Sequence, residues 1–253
     1  MLGLPVKRTI GEPFIELSAI NSTNIYAMSQ LQANLAEHGA SFFAHEQFAG
    51  KGQRGKNWQA SPGKNLILSV LVDIQPLATQ SIFSLHLFTT LACLDLLTPL
   101  LPDELSIKWP NDIYWRDRKA GGILIETVFR EGHPYYAVVG IGININEENF
   151  PELGKKAVSI KQITGQTMDP VILAKLLCAH LNSRYNHLLA GKIADQLVEF
   201  NSHLFKRNEI VKLKKNSATA EYRIKEVNLS GELIAEAGIH YIFSFGEIEW
   251  IMP

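Results

Sequence analysis

The sequence predicts an α+β fold in which a larger part, built from strands and helices, is followed by a small β-domain. Residues 65–74 are almost continuously apolar, which is typical of a central strand covered on both faces. Residues 170–189 predict a helix, because Asp169 is a good cap and Pro170 suits the first helical position. Residues 207–253 contain short alternating segments separated by glycine turns, as in an antiparallel β-domain.

Composition limits the classes of protein to consider. The chain has 253 residues, enough for a large domain and a small one, and we place the boundary between residues 1–204 and residues 205–253. A net charge of −1 argues against a general nucleic-acid or membrane-surface role. No apolar run reaches transmembrane length, and no cleavable signal peptide is predicted. Cys93 and Cys178 lie in apolar helical patterns and are predicted to be core thiols, which fits a reducing compartment, most simply the cytoplasm.

The remaining elements follow from apolar spacing, which repeats every two residues in half-buried strands and every three to four in helices. In the larger part we predict an arm or strand over residues 1–13, strands at 14–17, 41–47, 122–130 and 134–146, and helices from Ile25 to a stop at Gly39, at 81–97 and at 192–203. In the small domain we predict strands at 210–213, 218–227, 232–236, 239–243 and 247–251.

The stretch from Ala49 to Trp58, called the glycine loop below, predicts an anion-binding segment. Three glycines and three cations lie within seven residues, and backbone N–H groups in such loops can hold anions. The stretch is not a P-loop, because Asn57 stands where Ser or Thr should hold magnesium and turn-forming sequence follows. A solvated basic turn is the alternative, but the spaced glycines and Trp58 favour a ligand.

Other polar segments interrupt apolar sequence. Residues 22–24 are small and polar before a helix; one of them suffices as a cap, and the others could face a ligand. Pro110 breaks a strand-like run, so residues 111–112 form either an ordinary turn or part of a site. Alternating glycines within residues 139–144 predict either a wall against a flat ligand or close packing on a helix.

Taken in order, these segments resemble the biotin protein ligases across essentially the whole chain. The matching stretches are Ser22-Thr23-Asn24, Gly50-Lys51-Gly52-Gln53-Arg54-Gly55-Lys56 with Trp58, Lys108-Trp109-Pro110-Asn111-Asp112, Lys119-Ala120-Gly121-Gly122, and residues 139–144. The resemblance implies a mixed β-sheet flanked by helices, like the catalytic domain of class II aminoacyl-tRNA synthetases, and a small SH3-like C-terminal β-barrel. It also implies a two-step reaction. Biotin and ATP, with Mg²⁺, give biotinyl-adenylate, and a lysine of the biotin carboxyl carrier protein of acetyl-CoA carboxylase or a related carboxylase then takes the biotin.

The resemblance also implies roles for individual residues. The biotin-binding residues implied are Ser22, Thr23, Asn24, Gln47, Gly50, Lys51, Lys119, Gly121, Gly122 and Gly140. The residues implied to bind ATP or the adenylate are Gln53, Arg54, Lys56, Trp58, Lys108, Asn111 and Asn144. The catalytic residues implied are Lys119, Asp112, Arg54 and Lys51. Asp112 would orient the incoming amine or help to hold the metal, and no residue is assigned to Mg²⁺ alone.

One position departs from the family pattern, which commonly has a second arginine where this chain has Gln53. A hydrogen bond from a charged group is worth about 1.5–3 kcal/mol against about 1 kcal/mol for a neutral one. We therefore hypothesise weaker retention of biotinyl-adenylate, unless Arg54 or Lys51 substitutes. The glycine content and charge of the loop also predict disorder without ligand and closure over the adenylate.

Three alternatives bear on function. A lipoate or octanoate ligase or transferase shares the implied fold, but the Arg-Arg-x-Ser-Gly-Gly-type stretch of such proteins is absent. A non-catalytic biotin-binding protein is disfavoured by Lys119 and Asp112. DNA binding is not expected, because the segment before residue 14 is too short for a helix-turn-helix domain and the charge is near neutral. Monomer and homodimer both remain open.

Overall fold

The computed structural model describes residues 9–77, 80–101, 104–151 and 153–252. Of the arm predicted over residues 1–13, residues 1–8 lie outside this range. The helices are α1 (Thr23–Gln32), α2 (Phe83–Leu97), α3 (Ile160–Thr164), α4 (Pro170–Leu189) and α5 (Ile193–Ser202). The strands are β1 (Phe14–Leu17), β2 (Ser41–Ala44), β3 (Leu66–Asp73), β4 (Leu105–Lys108), β5 (Asp112–Trp115), β6 (Arg118–Arg130), β7 (His133–Ile143), β8 (Ile210–Lys215), β9 (Ala218–Val227), β10 (Leu233–Ala237), β11 (Ile239–Phe243) and β12 (Ile248–Ile251).

Seven strands form the main sheet in the order β1-β2-β3-β7-β6-β5-β4. The β1–β2 pair is parallel and the other pairs are antiparallel, so the sheet is mixed. Helices cover both of its faces. The predicted α+β class, with a mixed sheet flanked by helices, is therefore confirmed.

Strand β3 shows how the sheet separates a core face from a site face. Leu66, Leu68 and Val70 belong to the large apolar cluster that contains α2 and α4. Leu71, of opposite parity, belongs to a smaller cluster with Leu31 of α1. Because side chains alternate along a strand, the odd-numbered residues of β3 share the face of α1, and this is the face that carries the candidate site.

The C-terminal strands form a separate antiparallel sheet in the order β11-β10-β9-β8-β12, which confirms the small C-terminal β-domain. The connection to it is tied to the main sheet: Ile107 N–H donates to the His203 carbonyl at 2.8 Å, and Phe205 N–H donates to the Ile107 carbonyl at 2.9 Å. The division between residues 204 and 205 stays a prediction.

Several local predictions are confirmed, and the end predicted for the first helix is wrong. Asp169 caps α4 by accepting hydrogen bonds from two backbone N–H groups, and Pro170 begins the helix. Both cysteines are free and buried. Helix α1, however, ends at Gln32 with Ala33 as its cap, well before the predicted stop at Gly39. No helix among the described residues is long and apolar enough to cross a bilayer.

Candidate active site

A cavity opens on the α1 face of the main sheet, beneath the glycine loop. Its floor comes from residues of β3, β6 and β7. The lining residues that the sequence predicts are Ser22, Thr23, Asn24, Gln47, Lys51, Gln53, Trp58, Asn111, Lys119, Gly122 and Gly140. The lining residues that it missed are Gly52, Ile67, Ile123, Leu124, Ile141 and Gly142. The missed apolar residues look like ordinary core positions in the sequence, because the same strands also feed the core.

The three polar residues at the start of α1 do not serve as a conventional cap. Ser22 occupies the N-cap position, but its side chain makes no capping hydrogen bond, although only 2% of the residue is exposed. Thr23 and Asn24 are also buried. Burial of polar groups is costly unless they are hydrogen-bonded, so the helix end is built for partners other than its own backbone.

Ser69 organises these partners. Its hydroxyl oxygen lies 2.6 Å from Asn24 Oδ1 and 2.7 Å from Thr23 Oγ1. An amide oxygen only accepts, so the one hydroxyl proton of Ser69 goes to Asn24, and the Thr23 hydroxyl supplies the proton of the other bond. Asn24 Nδ2 donates to Glu126 Oε2 at 2.7 Å, which fixes the amide orientation. Thr23 Oγ1 is left with lone pairs to accept from a ligand.

Sequence reasoning missed Ser69 and Glu126. Ser69 is fully buried and is the one polar side chain in the run from Leu66 to Val72, which is a detectable signal in a central strand. Glu126 lies on β6 with the same parity as Gly122 and Leu124. A carboxylate in that register could have been recognised as facing the site rather than solvent.

Gln47 completes the polar cluster with a fixed orientation. Its Oε1 accepts from the Thr23 backbone N–H at 2.7 Å, with the Thr23 hydroxyl 3.1 Å away. Because a backbone N–H can only donate, the Gln47 oxygen must point towards it, and the Nε2 donors are directed elsewhere. The cluster thus offers acceptor capacity at Thr23, donor capacity at Gln47, and the Ser22 hydroxyl, which can do either.

Two glycines of β7 make room for site side chains. A Cβ on Gly140 would lie 2.2 Å from Asn24 Oδ1, and one on Gly142 would lie 2.5 Å from the Trp58 indole. Both separations are far shorter than van der Waals contact. Gly140 therefore lets β7 pack closely on helix α1, which confirms one of the two predictions, and Gly142 admits the Trp58 side chain of the loop.

Lys119 and Asp112 lie together at the cavity wall. Lys119 Nζ is 2.6 Å from Asp112 Oδ1, with 25% and 22% of the two side chains exposed. Lys119 Nζ is also 5.9 Å from the centre of the Trp58 ring. Asn111 is buried beside them, and its Nδ2 donates to the Ile123 carbonyl at 2.7 Å. A cation held by a partly exposed carboxylate remains free to turn towards an anionic ligand.

The glycine loop is a small hairpin over the cavity. Trp58 N–H donates to the Gly50 carbonyl at 2.9 Å, and Gly52 N–H donates to the Lys56 carbonyl at 2.7 Å. A 3₁₀ turn, Gln53–Gly55, forms the tip. Trp58 Nε1 is buried without a hydrogen-bond partner. A buried unsatisfied donor is costly, so a ligand acceptor at this point would remove the cost.

Glu147 anchors the exit of the loop and is only 5% exposed. Its carboxylate accepts hydrogen bonds from Ser61 N–H at 2.9 Å, from Ser61 Oγ–H at 3.1 Å and from Asn65 Nδ2 at 3.1 Å. Burial opposes ionisation of this carboxyl, but the hydrogen bonds from Ser61, Asn65 and the Glu148 N–H outweigh it and hold its pKa below the usual range. Glu147 thereby joins the end of β7 to the end of the loop.

Several predicted site residues do not line the cavity. Arg54 extends from the loop tip to the small sheet, where its Nη2 donates to the Ile248 carbonyl at 3.3 Å. Asn144 Nδ2 donates to the carbonyls of Lys119 and Val158 at 3.3 and 3.2 Å, so it supports the Lys119 backbone. The others that do not line it are Gly50, at the loop base; Lys56, exposed on the loop; Gly121, on β6; Asp112, behind Lys119; and Lys108.

Lys108 occupies an aromatic environment at the end of β4. Its Nζ donates to the Tyr114 hydroxyl at 3.0 Å and lies 4.7 Å from the Tyr114 ring and 5.8 Å from the Trp250 ring. Burial lowers the pKa of Lys108 to about 8, which the Asp112 charge only partly opposes. Its contact with ATP stays a prediction.

Among the described residues, no group of three or more His, Cys, Asp or Glu side chains is arranged to hold a metal ion. Mg²⁺ is commonly held by one or two carboxylates together with substrate phosphates. Asp112 is the carboxylate beside the cavity that fits this role. Asp112 and substrate phosphates together would hold the metal.

One cavity combines polar groups, an apolar floor and a cationic loop, an arrangement that suits a small, amphipathic anion. The family model described as the biotin/lipoate A/B protein ligase family matches residues 17–144, just over half of the chain. The matched segment contains every site residue predicted above. The chain belongs to this family.

Relatives and solved structures agree with this assignment. The bifunctional ligase/repressor BirA of Escherichia coli strain K12 is 31% identical over 169 residues, which cover 66% of this chain and 51% of that protein. The chain thus spans about half the length of such bifunctional relatives. The biotin–[acetyl-CoA-carboxylase] ligase of Paracoccus denitrificans is 32% identical over 169 residues, covering 64% of this chain and 68% of that protein. Biotin protein ligase from Aquifex aeolicus, in complex with biotin and ATP, has the same fold, with a TM-score of 0.80, 22% identity, and coverage of 95% and 99% of the two chains.

Proposed function

We propose that this protein is a biotin protein ligase that activates biotin with ATP and transfers it to a lysine of a biotin carboxyl carrier protein. The observation that carries the proposal is the polar cluster at the start of α1. The ureido group of biotin has two N–H donors and one carbonyl acceptor. Thr23 Oγ1 can accept, Gln47 Nε2 can donate, and Ser22 can complete the set. The dithiolane head of lipoate would leave these groups without partners, at a cost of about 1–3 kcal/mol each.

The apolar floor suits the rest of biotin. Ile67, Leu124 and the glycine-lined β7 face the cavity, and the bicyclic ring and alkyl tail of biotin need such surfaces. Lys119, at the wall of the same cavity, would receive the carboxylate. The names of the relatives, which include biotin–[acetyl-CoA-carboxylase] ligases, support this choice within a family that also covers lipoate ligases.

In the first step, a carboxylate oxygen of biotin attacks the α-phosphorus of ATP, and pyrophosphate leaves. Adenylation needs little covalent help, because holding two anions in line and neutralising their charge lowers most of the barrier. Lys119 and Lys51 line the cavity and would supply that charge. Mg²⁺, bound with ATP, would neutralise the phosphates. The half-buried Trp58 indole would pack on the adenylate.

In the second step, the carrier lysine amine attacks the carboxyl carbon of the mixed anhydride, the bond to the phosphate oxygen breaks, and AMP leaves. Asp112 would orient the amine once Lys119 turns from it towards the phosphate. Free buried thiols fit a reducing compartment, and we place the activity in the cytoplasm.

Pyrophosphate exchange into ATP tests the first step. We expect exchange that depends on biotin and is not supported by lipoate. Mass spectrometry of a purified carrier domain, incubated with the protein, biotin and ATP, tests the second step through the added mass of biotin on one lysine. Exchange with lipoate in place of biotin, or with neither acid, would refute the proposal.

A further inference from the structure

Strand β12 lies at one edge of the small sheet and reaches the candidate site twice. Within this sheet, β12 pairs only with β8, because it is the last strand in the order. The carbonyl of Ile248 accepts from Arg54 Nη2 at the tip of the glycine loop, at 3.3 Å. Two residues along, Trp250 Nε1 donates to the carbonyl of Trp109 at 3.1 Å. One short strand thus contacts both the loop and the segment that leads into β5.

The Trp109 contact is reciprocated across the domain interface. Trp109 is 2% exposed, and its own indole N–H donates to the Gly231 carbonyl at 2.9 Å. Trp109 therefore makes two hydrogen bonds to the small domain: its indole donates to Gly231, and its carbonyl accepts from Trp250.

This segment sets the position of the reacting charges. Asn111 exchanges hydrogen bonds with Ile123, through its side chain and its carbonyl, and Asp112 holds Lys119 at 2.6 Å. The carbonyl that Trp250 holds is three residues before Asp112. A shift at Trp109 would pass through Pro110 and the hydrogen-bonded Asn111 to the carboxylate and the ammonium group. The Trp250 ring also lies near the Lys108 ammonium and the Phe205 ring, which fixes its orientation.

We propose that Trp250 is a positioning residue for the reaction, and that β12 supports the loop tip and the Lys119–Asp112 pair together. This inference rests on the proposed ligase function. The biotin head group would bind at α1 and Gln47, and the hydrogen bonds from β12 to Arg54 and Trp109 go to neither. Loss of the Trp250 hydrogen bond should therefore slow adenylation without weakening biotin binding.

The test is Trp250→Phe in the full chain, which removes the N–H donor and keeps an aromatic ring. Trp115→Phe is the matched control, because Trp115 lies on β5 against Arg116 and Arg118, away from the cavity. We expect kcat for biotin-dependent pyrophosphate exchange to fall about fivefold in Trp250→Phe relative to the control, as for one lost hydrogen bond. KM for biotin should stay within about twofold, and thermal melting should not follow the loss of kcat. Equal kcat values in the two variants, or a rise in the biotin KM alone, would overturn the inference.

Hydrogen exchange in the unaltered protein tests the inference without a variant. Amides of residues 248–251 and 50–58 should gain protection together when biotin and ATP are added. If the loop amides gained protection and the β12 amides did not, the inference that β12 supports the loop tip would be contradicted. The two proposals fail separately: no exchange with biotin in the unaltered protein refutes the ligase, whereas normal exchange with an unaffected Trp250→Phe variant refutes only the role of Trp250.

Discussion

Lys119 Nζ lies 2.6 Å from Asp112 Oδ1 because the pairing of β5 and β6 contains a register shift. Asp112 pairs with Gly122 and Ile113 with Gly121, but Tyr114 pairs with Lys119, so Ala120 is an extra residue on β6. One extra residue reverses the alternation of side chains. Without it, Lys119 and Gly122 would point to opposite faces of the sheet, and the lysine would leave the site.

Lys119→Gln should abolish most of the adenylation while the fold is kept. The ammonium group is partly exposed and its loss leaves only a partly exposed carboxylate unpaired, whereas the developing charge on phosphorus loses its cation. We expect biotin-dependent pyrophosphate exchange to fall at least about a hundredfold, as when other preorganised charge-stabilising groups are removed.

Lys161→Gln is the control for this change, because Lys161 pairs with the exposed Glu148 away from the cavity. It should leave the exchange rate unchanged. A melting temperature that fell in step with activity in Lys119→Gln would show a structural role instead.

Gln53→Arg should slow the release of biotinyl-adenylate. Gln53 lines the cavity at the loop tip, and a charged donor is worth about 1 kcal/mol more than a neutral one, or about fivefold in rate. The dissociation rate of preformed adenylate measures the effect. Gln166→Arg, the same change at an exposed position, should leave the dissociation rate unchanged. An unchanged dissociation rate in Gln53→Arg would reject the hypothesis that Gln53 weakens the retention of biotinyl-adenylate.

Glu147→Gln should loosen the exit of the glycine loop. The new amide would present N–H groups to Ser61 and Asn65, which themselves donate, so at least one charged hydrogen bond is lost, worth about 2 kcal/mol. The folded-state pKa of Glu147 is lowered, so its contribution is present above the unfolded pKa and is lost as the pH falls through the folded pKa.

Urea unfolding at neutral pH should show this loss for Glu147→Gln, and protease cleavage within residues 50–58 should become faster. Glu148→Gln, an adjacent exposed carboxylate, is the control. Equal stability and equal cleavage in the two variants would contradict the anchoring role.

His86 should make the fold sensitive to acid. Its ring is half-buried beside those of Phe83 and Phe245, and its Nδ1 is buried without a hydrogen-bond partner. Desolvation lowers its pKa from 6.5 to about 4. As the pH falls, His86 is protonated in the unfolded chain before it is protonated in the folded protein. The free energy of unfolding should therefore be unaffected above pH 6.5 and should fall between pH 6.5 and 4, by about 3 kcal/mol.

Denaturant titrations at several pH values measure this slope. His86→Leu should flatten it in that window, whereas His187→Leu, at an exposed position on α4, should leave it in place. A slope unchanged in His86→Leu would assign the acid sensitivity to other groups.

Most of the fold could be predicted from the sequence, because the dominant signals are local. The apolar run of β3 and the cap at Asp169 appear where expected, and β9 and β11 have the predicted bounds. Helix α1 ends early because residues 33–35, which follow it, are exposed, so that no packing prolongs the helix beyond the buried Leu31. The strand predicted over residues 41–47 ends at Ala44, where the backbone turns to place Gln47 at Thr23.

By itself, the sequence determined which chemical groups are available: small polar residues before a helix, a cationic glycine loop and a lysine before paired glycines. Tertiary structure alone decided which of them meet. The parity of β3 brings Ser69 to α1, the extra residue on β6 turns Lys119 to Asp112, and the small sheet draws Arg54 away from the cavity. The reason is physical: composition and spacing fix local preferences, whereas strand register and domain contacts fix which face and which partner each side chain has.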